Sequence, residues 1–157
     1  MVRTIVLTLL LAGFHARAGD ATLDRATLKG VKAVGVIIDQ LPPDLPKEGV
    51  TADVLQTRLT QRLAEAQIPI NLSAKEFVGL RASSVRAAKG PYAVSMTIGL
   101  YQPVTLVRDK TMRAAPQTWE VDTVMMADPK LLYRAAMESV DELAARFIAA
   151  YRSVNPR

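Results

Sequence analysis

The residues able to do chemistry in this 157-residue chain are few, and their spacing does not assemble a reaction centre. There is one histidine, His15, and no cysteine. A serine hydrolase of the common kind needs a histidine to take the hydroxyl proton, and zinc sites draw mainly on histidine and cysteine, so both chemistries depend on His15. Ser83, Ser84 and Lys89 invite a serine–lysine pair in which a desolvated lysine acts as base. Lys89 stands, however, in the turn-like Lys89-Gly90-Pro91, where water solvates the ammonium. Glycosidase chemistry requires two carboxylates facing across a cleft, and Asp39 with Asp109 could be nominated only arbitrarily. Glu120 and Asp122 leave one strand face together, a spacing that marks a solvated edge more often than a site. An oxygen-only calcium or magnesium site needs acidic groups at close intervals, which no segment offers. Gly90 lacks the Gly-Lys-Ser/Thr sequel of a phosphate loop. The expectation is a protein without catalytic residues, metal or cofactor. The triplet Asn71-Leu72-Ser73 matches a glycosylation acceptor and reads as chance in a bacterial-looking chain.

His15 itself belongs to a segment with the plan of an export signal. Arg3 supplies a positive start, Thr4 to Phe14 is an apolar run of eleven, and Ala16-Arg17-Ala18 presents small residues where an export peptidase reads them. A bilayer span takes roughly 20 apolar residues, so the run predicts cleavage after Ala18 instead of an anchor. His15 then leaves with residues 1–18. Acylation of a bacterial lipoprotein would require a cysteine at the cleavage point, and the chain has none. A soluble periplasmic or secreted protein is expected, standing on its core without disulfides. Two of the twenty Lys/Arg, Arg3 and Arg17, lie in the leader, so the remaining 139 residues carry eighteen bases against fifteen acids, a net charge near +3. That is mildly basic, below the charge expected of a nucleic-acid binder. The length suits one domain, residues 31–157, after a polar lead-in at 19–30.

Hydrophobic periodicity supplies the elements. Val31 to Asp39 is nearly continuous in apolar residues and predicts a strand covered on both faces or placed centrally. Pro42, Pro43 and Pro46 then enforce a loop. Thr51 caps a helix running to about Gln67, with Leu55, Leu59 and Leu63 on one stripe. Ile68-Pro69-Ile70 reads as a short edge strand. Val78 to Ala88 and the long stretch Tyr92 to Asp109 make a hairpin. In the long stretch Tyr92, Val94, Met96, Ile98, Leu100, Val104 and Leu106 share one face, and Ser95, Thr97 and Tyr101 share the other. Gly99 or Pro103 bends it. Gln117 to Met126 completes a meander, with Trp119, Val121 and Met125 inward. Asp128 and Pro129 open a final helix to about Ser153 whose apolar arc, widened by Met137 and Ile148, exceeds the usual ~100° stripe. These elements predict an α+β fold: a two-layer sandwich of a mostly antiparallel sheet with two helices packed on one face.

A strand near the start, a helix ending in Arg62-Leu63-Ala64-Glu65-Ala66-Gln67-Ile68-Pro69-Ile70, a meander and a closing amphipathic helix resemble small periplasmic modules such as the TolB amino-terminal domain and the transport-auxiliary and CsgG-like lipoprotein domains. The resemblance lies in element order and implies a noncatalytic adaptor within envelope assemblies.

Function is therefore expected from surfaces. The hydroxyl-bearing face of Ser95, Thr97 and Tyr101, or the broad last helix with Met137 and Ile148, would serve a protein partner from the envelope or a second copy of the chain. Arg81, Arg86, Lys89, Arg108, Lys110 and Arg113 surround the hairpin and the loop after it. Brought together they would form a basic edge, which either discourages aggregation or faces an acidic partner or anionic headgroups. With only Tyr92 and Tyr101 nearby, a stacking platform for nucleic acid is not expected. Alternatives are a small apolar-ligand carrier with a pocket between sheet and helices at Met96, Met125 and Phe147, and an enzyme using carboxylates or Ser/Lys.

Overall fold

The computed structural model describes residues 19–86 and 88–156; the expected leader, residues 1–18 with His15, lies outside the described residues. In chain order the elements are α1 (Thr22–Ala26), β1 (Gly35–Ile38), α2 (Ala52–Glu65), β2 (Phe77–Arg86), β3 (Tyr92–Tyr101), β4 (Val104–Leu106), β5 (Asp109–Ala114), β6 (Gln117–Ala127) and α3 (Pro129–Val154). β1, β2, β3 and β6 form one sheet in that order, with β1 parallel to β2 and the remaining pairs antiparallel. The fold is α+β, as the element pattern predicts.

Strict alternation builds the central strand. Tyr92, Val94, Met96, Ile98 and Leu100 of β3 are buried, as are Val78 and Leu80 of β2 and Trp119 and Val121 of β6. Opposite them α2 contributes Leu55, Leu59 and Leu63, all fully buried, each worth about 1.5–3 kcal/mol in burial. Its start is fixed by Thr51, whose hydroxyl accepts from the Val54 amide at 3.4 Å. The wide arc of α3 has an explanation within the chain: it packs on the sheet, on α2 and on α1. Phe147 of α3 meets Trp119 edge to face at 5.3 Å. Arg58 of α2 clasps Asp141 of α3 through two bonds of 2.7 and 2.5 Å.

Three expectations are revised. The lead-in at 19–30 is part of the fold: Leu28 is fully buried and Asp20 is only 8% exposed. The Asp20 carboxylate accepts from Arg25 Nε and a terminal guanidinium nitrogen, both at 2.7 Å, and from Trp119 Nε1 at 2.9 Å. Asn155, just past α3, holds the following loop by accepting from the Gly30 amide at 2.8 Å and donating to the Leu28 carbonyl at 2.9 Å. Secondly, β1 is the sheet's edge, not its centre, and exposes Ile37 on one face. Its apolar run begins ahead of the strand, where Val31 is buried and Tyr151 donates to the Val31 carbonyl at 2.8 Å. The Ile68–Ile70 strand reduces to one bridge, Val34 to Ile70. Thirdly, the long strand ends at Tyr101. Gln102-Pro103 interrupts it, and β4 and β5 pair with each other as a separate two-stranded arm inserted between β3 and β6.

Candidate functional site

Since α2 and α3 cover one side of the sheet, alternation delivers every second residue of the meander to an uncovered side. The pairings set three rows: Val85, Ala93 and Met126; then Ser83, Ser95 and Val124; then Arg81, Thr97 and Asp122. A last pair of rows brings Gly79, Gly99 and Glu120 together and then Phe77 with Tyr101.

At the end nearest the β2–β3 turn the face is an apolar corner. Val85 is 74%, Val124 69% and Met126 73% exposed, and Ala93 lies between Val85 and Met126. Beside it Arg81, Ser83, Ser95 and Thr97 line a shallow depression of about 310 Å³. At the far end Phe77 and Tyr101 stack with centroids 4.9 Å apart and planes 4° from parallel. The ring lies flat because Gly79 beneath it has no side chain: a Cβ there would stand 2.7 Å from Tyr101 Cε2. Tyr101 donates to Gln117 Oε1 at 2.9 Å, an acceptor shared with Arg81 at 3.4 Å. Gln117 also donates to Glu120, which lies 3.9 Å from Arg81. Burial pushes the Tyr101 phenol above its ordinary value, with Asp39 and Glu120 adding to the rise and Arg81 opposing it.

The sheet edges differ from this open face in being partly closed. On β6 the Thr27 hydroxyl donates to the Thr118 carbonyl at 3.2 Å, the Glu120 amide to the Gly19 carbonyl at 3.2 Å and Arg146 to the Asp122 carbonyl at 2.7 Å. Beyond Asp122 the outward amides and carbonyls of Val124 and Met126 have no partner among the described residues. On β1 the Pro69–Asn71 segment bonds Val34 on both its amide and its carbonyl, and Gln56 donates to the Val36 carbonyl at 3.1 Å.

Of the sequence-derived candidates, the structure brings Arg81, Ser95 and Thr97 to one depression and sets Tyr101 further along the same face. Arg86 is turned the other way, its guanidinium 4.7 Å above the Tyr92 ring and 3.8 Å from Glu48. Arg108 sits in the turn of the β4–β5 arm. The six basic residues do not converge: Arg86 and Lys89 flank one end of β3, while Arg108, Lys110 and Arg113 follow its other end. Met137 borders a groove of about 540 Å³ between α2 and α3 with Tyr133, Val54 and Arg58, and Ile148 borders a second, of about 420 Å³, with Arg62 and Arg152. Met96 and Phe147 are packed in the core, and Met125 accepts from the Ser139 hydroxyl at 3.3 Å. Lys89 is exposed in its turn, and Asp109 lies on the arm while Asp39 follows β1. The residues missed from sequence are Val85, Val124 and Met126. Their signal was present, since Val124 and Met126 repeat at spacing two out of phase with the inward Val121 and Met125.

No protein-family model matches the chain, and no curated protein matches it. Among solved structures, a PelC dodecamer from Paraburkholderia phytofirmans aligns at 12% identity with a TM-score of 0.44, over 73% of this chain and 85% of the other. A minor lipoprotein from Acinetobacter baumannii aligns at 11% identity and TM-score 0.39, over 79% and 92% of the two chains. A lipoprotein from Caulobacter crescentus aligns at 12% and 0.37, over 83% and 93%.

Proposed function

We propose that this protein is a noncatalytic binding module of the bacterial envelope, exported to the periplasm, which acts by protein–protein contact through the uncovered sheet face. The observation that carries this reading is the apolar corner of Val85, Ala93, Val124 and Met126, set against the open end of the β6 edge. Exposed apolar groups that adjoin one another mark a contact surface more than scattered ones do. A partner covering Val85, Val124 and Met126 would gain about 1.5–3 kcal/mol for each side chain fully withdrawn from water. The free backbone groups at Val124 and Met126 could pair an added strand, as in strand-addition complexes. Ser83, Ser95 and Thr97 then offer hydroxyls that orient what is bound.

The noncatalytic part of the reading is supported by where the charged groups go. Asp20 is held by Arg25 and Trp119, Arg58 by Asp141, and Arg86 by Glu48 and Tyr92. These are structural pairs that tie elements together, not groups converging on a cleft.

The test is a photocrosslinking residue placed at Val124 in cells exporting the protein, with Gln61 on the outer face of α2 as the control position. A discrete adduct with another envelope protein from Val124 alone, lost when Met126→Glu is added, is the expected result. A dimer-sized adduct would assign the face to a second copy of the chain. Equal labelling from both positions, or none from Val124, would overturn the reading.

A further inference from the structure

We propose that the β4–β5 arm is a docking element for an anionic lipid bilayer surface. The inference does not depend on the role given to the open sheet face. The arm leaves the sheet between two prolines: Pro103 before β4 and Pro116 after β5. Neither has an amide hydrogen to continue the β3–β6 ladder. The bond from the Gln102 amide to the Pro116 carbonyl, 3.3 Å, closes the neck. Beyond it the arm's strands pair only with each other, and every residue of β5 is exposed.

Its composition has two components. The turn presents Val107, 96% exposed, with Met112 exposed behind it and Val104 and Leu106 half-buried along the arm. Around these stand Arg108, Lys110 and Arg113, none with an ion pair among the described residues. The arm's one acid, Asp109, is turned onto its own strand, accepting from the Thr111 hydroxyl at 2.6 Å and amide at 2.9 Å. On the sheet, by contrast, Arg81 faces Glu120 and Arg86 faces Glu48. The arm thus sets three bases against one acid, a net positive charge, behind an apolar tip.

That order of groups fits an interface where an apolar layer lies beneath a negative one. Val107 would reach the acyl boundary while Arg108 and Lys110, on flexible stems, stay among the headgroups. Nucleic acid is disfavoured because Val104 to Ala114 contains no aromatic residue to stack on bases. A folded acidic protein is disfavoured because both sides of a two-stranded ribbon stand free, with no concavity to shape a specific seat. The arm's strands, Val104–Leu106 and Asp109–Ala114, are shorter than the roughly 9–11 residues a membrane-spanning strand takes, so the arm's contact is peripheral. With three cations it is reversible and sensitive to salt.

Flotation of the purified protein with phosphatidylcholine vesicles, with and without phosphatidylglycerol, tests this. Binding is expected only to the anionic vesicles, weakening with added salt, and falling about fivefold for each of Arg108→Gln and Lys110→Gln, the loss set by a single cation near a charged surface. Val107→Asp should reduce binding further. All variants share the parent's amino terminus, so any contribution from it cancels, and far-UV circular dichroism confirms that each is folded. Met126→Glu should leave vesicle binding unchanged, which separates failure here from failure of the open-face reading. Equal binding to both vesicle types, or anionic binding that ignores the arm substitutions, would overturn the proposal. So would arm substitutions that abolish a protein crosslink while no vesicle binding exists.

Discussion

Replacing Asp20 by alanine removes an acceptor on which two distant parts of the chain converge. In the native fold the carboxylate takes both bonds of the Arg25 fork and the Trp119 indole N–H. The Arg25 side chain is 37% exposed, so water recovers most of what the guanidinium loses, and the full cost of breaking a buried pair does not apply. The indole has no such recourse, because Trp119 is 1% exposed. Leaving that donor unpaired costs about 1–3 kcal/mol, and the loss of a charge-assisted bond brings the sum to about 2–4 kcal/mol. For a chain of this size the midpoint of thermal unfolding should fall by about 6–12 °C. Trp119 is the sole tryptophan, so its emission reports the site directly and should shift in the variant. pH provides a second readout. Burial raises the Asp20 pKa, but the bonds from Arg25 and Trp119 and the charges of Arg25 and Arg146 outweigh it and hold the group below 3.8. A carboxylate depressed in the folded state contributes stability that is full above its unfolded pKa and is lost as pH falls through the folded one. Asp20→Ala should therefore flatten the stability profile below about pH 4. Combined with Trp119→Phe, the alanine variant should lose less than the sum of the two changes, since they share a bond. A midpoint lowered by less than about 2 °C, with unaltered emission, would refute the reasoning.

Gly79→Ala forces a methyl into the Tyr101 ring, 2.7 Å from Cε2. It should destabilise the protein by about 1–3 kcal/mol in urea melts, and Tyr101→Ser should relieve much of that in the double variant. Phe147→Ala empties the contact with Trp119 on a fully buried position and should cost about 3–5 kcal/mol by the same measurement. Substituting Met126 by glutamate should leave the unfolding free energy from urea melts within about 0.5 kcal/mol of the parent, because most of the side chain already meets water.

Much of this architecture was legible because one rule repeats. Alternation from Tyr92 to Tyr101 identified the core face and the open face at once, and Leu55, Leu59 and Leu63 fixed the helix that covers the former. The same rule misled at Val104 and Leu106, which keep the phase of β3 across Pro103 and so look like its continuation. The break there comes from the prolines on both sides of the arm, only one of which lies near the strand. The lead-in was unreadable for another reason. Asp20 and Arg25 look like surface charges until Trp119, 99 residues away in sequence, supplies the third partner. The hydroxyls of the open face followed from parity. Its apolar corner was masked, although Val124 and Met126 lie out of phase with the inward Val121, because Val124, Met125 and Met126 are apolar on both parities and read as continuous core.

The uneven closure of the two sheet edges also sets how far copies of this chain can build on one another through backbone pairing. β1 is occupied at Val34 and Val36, and the first half of β6 at Thr118, Glu120 and Asp122. The open stretch of β6 can be lent only once. Two copies joined along Val124–Met126 would each cover the other's open stretch of β6, and the pair would have none of it to offer a third. Growth through this stretch thus terminates at a two-fold dimer and does not propagate into a fibre.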